Sequence, residues 1–331
     1  MKRQNIFIFL FVNLLSFDSN AQTKNDFLES VFHPDSLKSI VEVLASDSFE
    51  GRFTGSTGCM KAASFIADEF KKAGLKPLAG LDGFFMPFTN SKKNIVGAIR
   101  GRTKPDEIVI FSAHYDHVGT ESTNPYPNAG GKGKISMGDT IYNGANDNAS
   151  GTSAIISLAK YFVQQSKNER TLLFVAFDGE ELGLLGSTYF ADHIEPEPII
   201  AVINIEMIGR KDNGTGKPYI TGSQYSDLFK ILNRRLNEYD SKTYGKKFIE
   251  RDMYVNENLF IRSDNYSFAQ LGIPAHSIMV TSTTDKYYHS LSDEPTTLDY
   301  RLMSNIIKAI AISCRGLVDG TDTPSRIKSL K

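Results

Sequence analysis

Apolar residues along this chain follow two alternating rhythms, and the elements they predict interleave. Over Asp35 to Ala45, Leu37, Ile40, Val41 and Leu44 share one helical face. Ser48 to Gly58 is rich in glycine and serine and reads as a loop. Cys59 to Ala73 is a second amphipathic helix, closed by Gly74 and followed by Pro77. From Asn94 the pattern turns to short apolar runs, Ile95 to Ile99 and Ile108 to Ala113, which predict strands. Thr120 to Thr140, rich in Gly, Asn, Pro and Lys, predicts a long surface loop. Ala149 to Gln165 is helical again, with Ala154, Ile155, Leu158, Ala159 and Phe162 inward. A strand (Thr171 to Phe177), a helix (Leu182 to His193) and a strand (Ile199 to Ile205) follow. A polar stretch, Lys211 to Lys217, precedes a helix over Asp227 to Tyr239. Asp264 is placed to N-cap a short helix to Leu271, Ala275 to Val280 is a strand, and Leu298 to Leu317 is the closing helix. No repeat and no linker divides the chain. The alternation predicts an α/β fold: a single domain with a central mixed, mostly parallel β-sheet flanked by helices on both faces.

Such a sheet gathers whatever lies just past the carboxyl ends of its strands into one crevice. Four strand-like runs here lead into residues that ligate metals. Ile108 to Ala113 leads into His114-Tyr-Asp116, Thr171 to Phe177 into Asp178-Gly-Glu180-Glu181, and Ile199 to Ile205 into Glu206. Ala275 to Val280 is followed, after a short loop, by Tyr288-His289. A turn opening a helix, Asn143-Gly-Ala-Asn-Asp147-Asn-Ala-Ser-Gly151, adds another carboxylate. Two imidazoles with three or four carboxylates suit a pair of divalent first-row ions. Zinc accepts both nitrogen and carboxylate oxygen, so two zinc ions per chain are expected.

Each of these residues also has a plainer reading. His114 and Asp116, two apart, face the same side at a strand end, which lets Asp116 hold the second imidazole nitrogen; alone, the pair reads equally well as surface polarity. His117 would point the other way and reads as an ordinary polar residue. Asp147 alone reads better as a helix N-cap, although Asn148 or Ser150 could take that place. Glu180 and Glu181 could occupy a helix first turn near its dipole, which accounts for one acid better than two. With one acid as ligand and one activating water, Glu181 binds metal and Glu180 is the general base. Glu206 ends a strand buried on both faces, where an unpaired carboxylate is costly. His33, His193 and His276 read as ordinary residues, His276 as a satisfied strand histidine.

Composition narrows the class. The net charge is −1 with signs interspersed, so no basic stripe marks a nucleic-acid partner. Hydrophobic residues make up 40% of the chain, ample for a core. Lys2 and Arg3, the apolar Ile6 to Leu15 and the small residues Ser19-Asn20-Ala21 predict a cleaved signal peptide over residues 1–21. Residues 22–331 then form the catalytic domain, exported to the periplasm or beyond the cell. No cysteine follows the cut to carry a lipid, and no later apolar run is long enough for membrane insertion. Cys59 and Cys314 form either one disulfide or two free thiols, and no CxxC metal site.

In this order, the segments resemble the zinc aminopeptidases of family M28 over nearly the whole chain beyond the leader. They are Ser112-Ala-His-Tyr-Asp-His-Val-Gly119, Asn143 to Gly151, Phe177-Asp-Gly-Glu-Glu-Leu-Gly183, Asn204-Ile-Glu-Met-Ile-Gly209 and Tyr288-His289. The resemblance implies that His114, Asp147 and Glu206 hold one zinc and that Asp147 bridges to a second held by Glu181 and His289. It implies Glu180 as the base, Tyr288 as the phenol stabilising the oxyanion, and Arg262 in a substrate-contacting segment; Asp116, holding the second nitrogen of His114, is counted with the catalytic residues. The substrates implied are peptides with a free N-terminus. The family usually has Asp where this chain has Glu206, one methylene longer, so the site shared with His114 is expected to be the weaker. Two other readings differ in class: a glutaminyl-peptide cyclotransferase with a single zinc, and a peptidase-like binding module without catalysis.

Overall fold

The structure is a computed structural model that describes residues 26–89, 91–126, 138–211 and 215–330. The elements run α1 (Pro34–Leu44), α2 (Thr57–Ala73), β1 (Lys76–Pro77), β2 (Phe85–Thr89), β3 (Lys92–Ile99), β4 (Lys104–His114), α3 (Gly151–Gln165), β5 (Arg170–Phe177) and α4 (Leu185–Asp192). They continue with β6 (Ile199–Ile205), β7 (Tyr219–Ile220), α5 (Leu228–Tyr239), β8 (Glu250–Arg251), α6 (Asn265–Ala269), β9 (Ala275–Met279), α7 (Tyr300–Ser313) and α8 (Arg315–Val318).

The strands form one sheet in the order β1-β3-β5-β4-β6-β9-β7-β8, with β2 also paired to β3. Its centre, β5-β4-β6-β9, is parallel, and β3 and β7 flank that centre antiparallel. Strand alternation divides the core in two. Val109, Phe111, Ala113, Leu172, Phe174, Ala176, Ala201 and Ile203 pack beneath α1, α2, α3, α5 and α7. Ile110, Leu173, Val175, Phe177 and Val202 pack on the other face with Phe190 of α4 and Phe268 of α6. Period-two alternation in strands buried on both faces is what produces the near-continuous apolar runs of the sequence.

Three local expectations change. The helix expected from Leu182 begins only at Leu185, because residues 180–184 form a turn with Gly183 at φ 96° and Leu184 at φ 62°. Asp264 does not cap α6 by hydrogen bond; both its carboxylate oxygens are buried without a partner. The closing helix breaks at Cys314 into α7 and α8. Cys59 and Cys314 are separate buried thiols, which settles that alternative. The expected leader over residues 1–21 and residues 127–137 of the Thr120 to Thr140 loop lie outside the described residues. Among those described, no helix is long and apolar enough to cross a membrane.

Candidate metal centre

Register brings the strand ends level. His114 pairs with Phe177, the last residue of β5, and Ser112 pairs with Asn204, so the ends of β4, β5 and β6 lie side by side. His114 emerges from β4, Glu180 and Glu181 from the turn after β5, and Glu206 from β6. Glu206 is held by its backbone N–H to Ile278 O of β9 at 3.1 Å. His289 comes from the loop beyond β9, with φ 47°.

Two clusters result, and Asp147 belongs to both. Ligand atoms of His114, Asp147 and Glu206 lie within 4.8 Å of one another, as do those of His117, Asp147, Glu181 and His289. His114 Nε2 is 3.3 Å from Asp147 Oδ1, and His289 Nε2 is 3.2 Å from Asp147 Oδ2 and 2.9 Å from Glu181 Oε2. The Asp147 turn is irregular helix over Ala145–Ser150, and its non-helical residues, Asp147 and Asn148, point inward. Asp147 does not cap α3: Asn148 Oδ1 accepts from Gly151 N at 3.0 Å, while Asn148 Nδ2 donates to Ile205 O at 3.0 Å. This leaves the Asp147 carboxylate free for the centre.

Asp116 lies beside His114 Nδ1, with Oδ1 at 3.6 Å and its backbone O at 3.3 Å. Its carboxylate does a further job: Oδ1 accepts from Glu180 N at 3.1 Å, and Oδ2 from Glu181 N at 3.3 Å and Thr54 Oγ1 at 2.9 Å. One buried carboxylate thus fastens the turn carrying both glutamates to the end of β4. Ser263 Oγ donates to Glu206 Oε2.

His117 corrects the sequence reading. It is buried, and its Nδ1 is 2.8 Å from Glu181 Oε1 and 3.9 Å from Asp147 Oδ2. Alternation ends with the strand at His114. Beyond it the chain leaves the ladder and bridges to Phe53, with His117 N donating to Arg52 O at 3.2 Å, and this turns the ring inward.

Electrostatics follow from packing carboxylates together under cover. Burial pushes Glu180 well above the usual carboxylate range; His114 opposes this, while Glu206, Glu181 and Asp264 reinforce it. Burial, with Asp147 and Asp264 nearby, raises Glu206 to about 7. Burial alone would also raise Glu181, but the His289 and His117 imidazoles prevail and hold it at about 2. His289 in turn is raised to about 10, Glu181 outweighing the burial. Such a concentration of buried acid suits a cation. Consistent with that, His114 Nε2, which faces Asp147 Oδ1 at 3.3 Å, is buried with no hydrogen-bond partner. Imidazole and carboxylate donors in clusters of three and four fit zinc.

The centre forms the floor of a cavity of about 740 Å³. Tyr288 lines it and stacks on His289, with ring centroids 3.9 Å apart, and burial pushes its phenol upward in pKa. Tyr126, from the described part of the long loop, donates to Glu181 O at 2.8 Å. Met207, Leu259 and Met279 supply an apolar wall, and the exposed Arg262 lies at the same cavity.

Several supporting residues carry no motif signal. Arg52 is buried in the segment read as a loop, and its guanidinium donates to the carbonyls of Leu44, Tyr115, Asn143 and Gly144 at 2.6–2.9 Å. It thereby ties the His114 and Asp147 segments together. Asp293 accepts from Asn146 N and Asp147 N at 3.0–3.1 Å and from Arg210 Nη1 at 2.7 Å. A buried arginine far in sequence from its acid could be suspected only once the fold is known.

A family model described as peptidase family M28 matches residues 94–313. The chain belongs to peptidase family M28. It is 28% identical over 276 residues to a probable leucine aminopeptidase of Arthroderma otae, covering 79% of this chain and 67% of that protein. In two further curated relatives the match spans only 26% of the relative's length. The fold is shared with an aminopeptidase of Legionella pneumophila, LapA, at a TM-score of 0.67 and 18% identity, covering 96% of this M28 chain and 78% of that one. It is shared equally with the glutaminyl cyclase of Porphyromonas gingivalis, at a TM-score of 0.65 and 18% identity, covering 87% and 99%.

Proposed function

We propose that this chain is an exported zinc aminopeptidase acting on peptides with a free N-terminus. Residues 1–21 are its leader and 22–331 its catalytic unit. His114, Asp147 and Glu206 hold one zinc, and Asp147, Glu181 and His289 hold a second. The observation that carries the reading is Asp147 shared between two ligand clusters, with the Glu180 carboxylate beside them at the same cavity. Names among the relatives support aminopeptidase action on a peptide end.

When bound, zinc polarises a carbonyl and lowers the pKa of a water. The residues of the chain do the rest. Glu180, whose carboxyl holds a proton more readily than an ordinary glutamate, takes a proton from the attacking water and hands it to the leaving amine. Asp116 fixes the backbone that aims Glu180. Tyr288 keeps its phenol proton and donates to the oxygen that gains charge, an electrostatic contribution of the oxyanion-hole kind.

A panel of aminoacyl-anilides, assayed with and without chelator beside an N-terminal Gln peptide, tests the reading. Chelator-sensitive release of amino acids supports it, with acetylated substrates left intact. Pyroglutamate formation without cleavage would establish the cyclase, and metal binding with neither reaction a binding module. Glu180→Gln should lower turnover by roughly 10²-fold or more while metal content holds.

A further inference from the structure

The two clusters are unequal, and the difference is His117. Besides the shared Asp147, one offers only His114 and Glu206, whereas the other offers His117, Glu181 and His289. The His117 ring is seated in its place. Gly144, at φ 56°, faces it so closely that a Cβ there would lie 2.5 Å from the ring, so the site is shaped for an imidazole against a residue without a side chain. The ring meets His289 edge-on at 5.5 Å between centroids and 73° between planes, and its Nδ1 is aimed at the acids that His289 also meets. Four protein donors fill the tetrahedral shell of zinc, as in sites that hold the ion for structure. Three leave a position for water or substrate, as in sites that catalyse.

We propose that His117 is a fourth protein ligand, making the Glu181/His289 position a closed, firmly held zinc site and leaving the His114/Glu206 position as the open, exchangeable one. This rests on the two-zinc reading above. It agrees with the longer reach of Glu206, but on independent ground, since it concerns the opposite site. It also assigns the substrate carbonyl to the His114 side of the cavity.

The test is zinc retention by the purified full chain against graded dipicolinate, with ions counted by elemental analysis and the cobalt-substituted protein followed by visible absorption. The wild type should lose one ion readily and the second only at chelator concentrations at least tenfold higher. His114→Ala should keep the firmly held ion and its intense four-coordinate cobalt bands. His117→Ala should weaken that ion by roughly 10–100-fold or more, so that both ions leave together and the cobalt bands weaken. His117→Gln decides between ligand and hydrogen-bond partner, because its amide can still hydrogen-bond Glu181 but is a poor zinc donor. It should behave like the Ala variant, with melting curves confirming that both fold. Wild-type retention in either His117 variant would overturn the proposal, as would two wild-type ions of equal affinity. A wild type that binds no zinc would instead overturn the two-zinc reading, and this inference with it.

Discussion

Removing the Asp116 carboxylate should cost both stability and turnover, by amounts the structure bounds. Asp116 accepts three hydrogen bonds: from Glu180 N at 3.1 Å, Glu181 N at 3.3 Å and Thr54 Oγ1 at 2.9 Å. A bond to a charged acceptor is worth about 1.5–3 kcal/mol and an abandoned buried donor costs about 1–3. The two backbone bonds are long, so the low end applies, and Asp116→Ala should lose about 3–5 kcal/mol. At roughly 2 °C per kcal/mol for a large domain, melting should fall by roughly 5–10 °C. The turn carrying Glu180 and Glu181 then loses its anchor, and turnover should fall by roughly 10–100-fold, as for other residues that orient metal ligands. Kinetics measured well below the melting transition separate the two effects. Thr54→Val is the control: it removes only the hydroxyl bond, costs about 1 kcal/mol, and should leave turnover little changed. If Asp116→Ala kept wild-type turnover and zinc content, this carboxylate would not be what positions the glutamate turn.

Asp293→Ala strands Arg210 between Asp285 and an empty place and frees Asn146 N and Asp147 N. It should destabilise by about 3–5 kcal/mol and weaken zinc binding, and unchanged denaturant midpoints would count against it. Stripping zinc leaves Asp147, Glu181 and Glu206 crowded without a cation. Calorimetry should show a lower melting temperature, restored by added zinc, as expected when only the folded chain binds the ion; equal curves would argue against a metal centre. His276, satisfied by Ser226 Oγ and Thr221 O, is held neutral by burial and lowered to about 4 from 6.5. Between those values the unfolded chain takes up the proton more readily. The stability from keeping it neutral is therefore full above about pH 6.5 and declines by about 3 kcal/mol as pH falls toward 4. His276→Gln should flatten the slope of stability against pH in that window, and an identical slope would refute the assignment.

What the sequence determined by itself was the local order and its consequence. Strand runs such as Ile108 to Ala113 and Ile199 to Ile205 are apolar because both faces are buried. Parallel pairing then brings His114, Glu181 and Glu206 together at one edge, whatever their spacing. The tertiary structure decided whatever depends on contacts between distant segments. His117 faces Glu181 because residues past the end of β4 are oriented by their pairing with Arg52 and Phe53, and strand alternation no longer governs them. Asp147 is available to both clusters because Asn148 takes the helix bond and Asp293, from the far end of the chain, receives the backbone of the turn. Periodicity registers which side of an element is buried, whereas a hydrogen bond between separate loops leaves no period in the sequence.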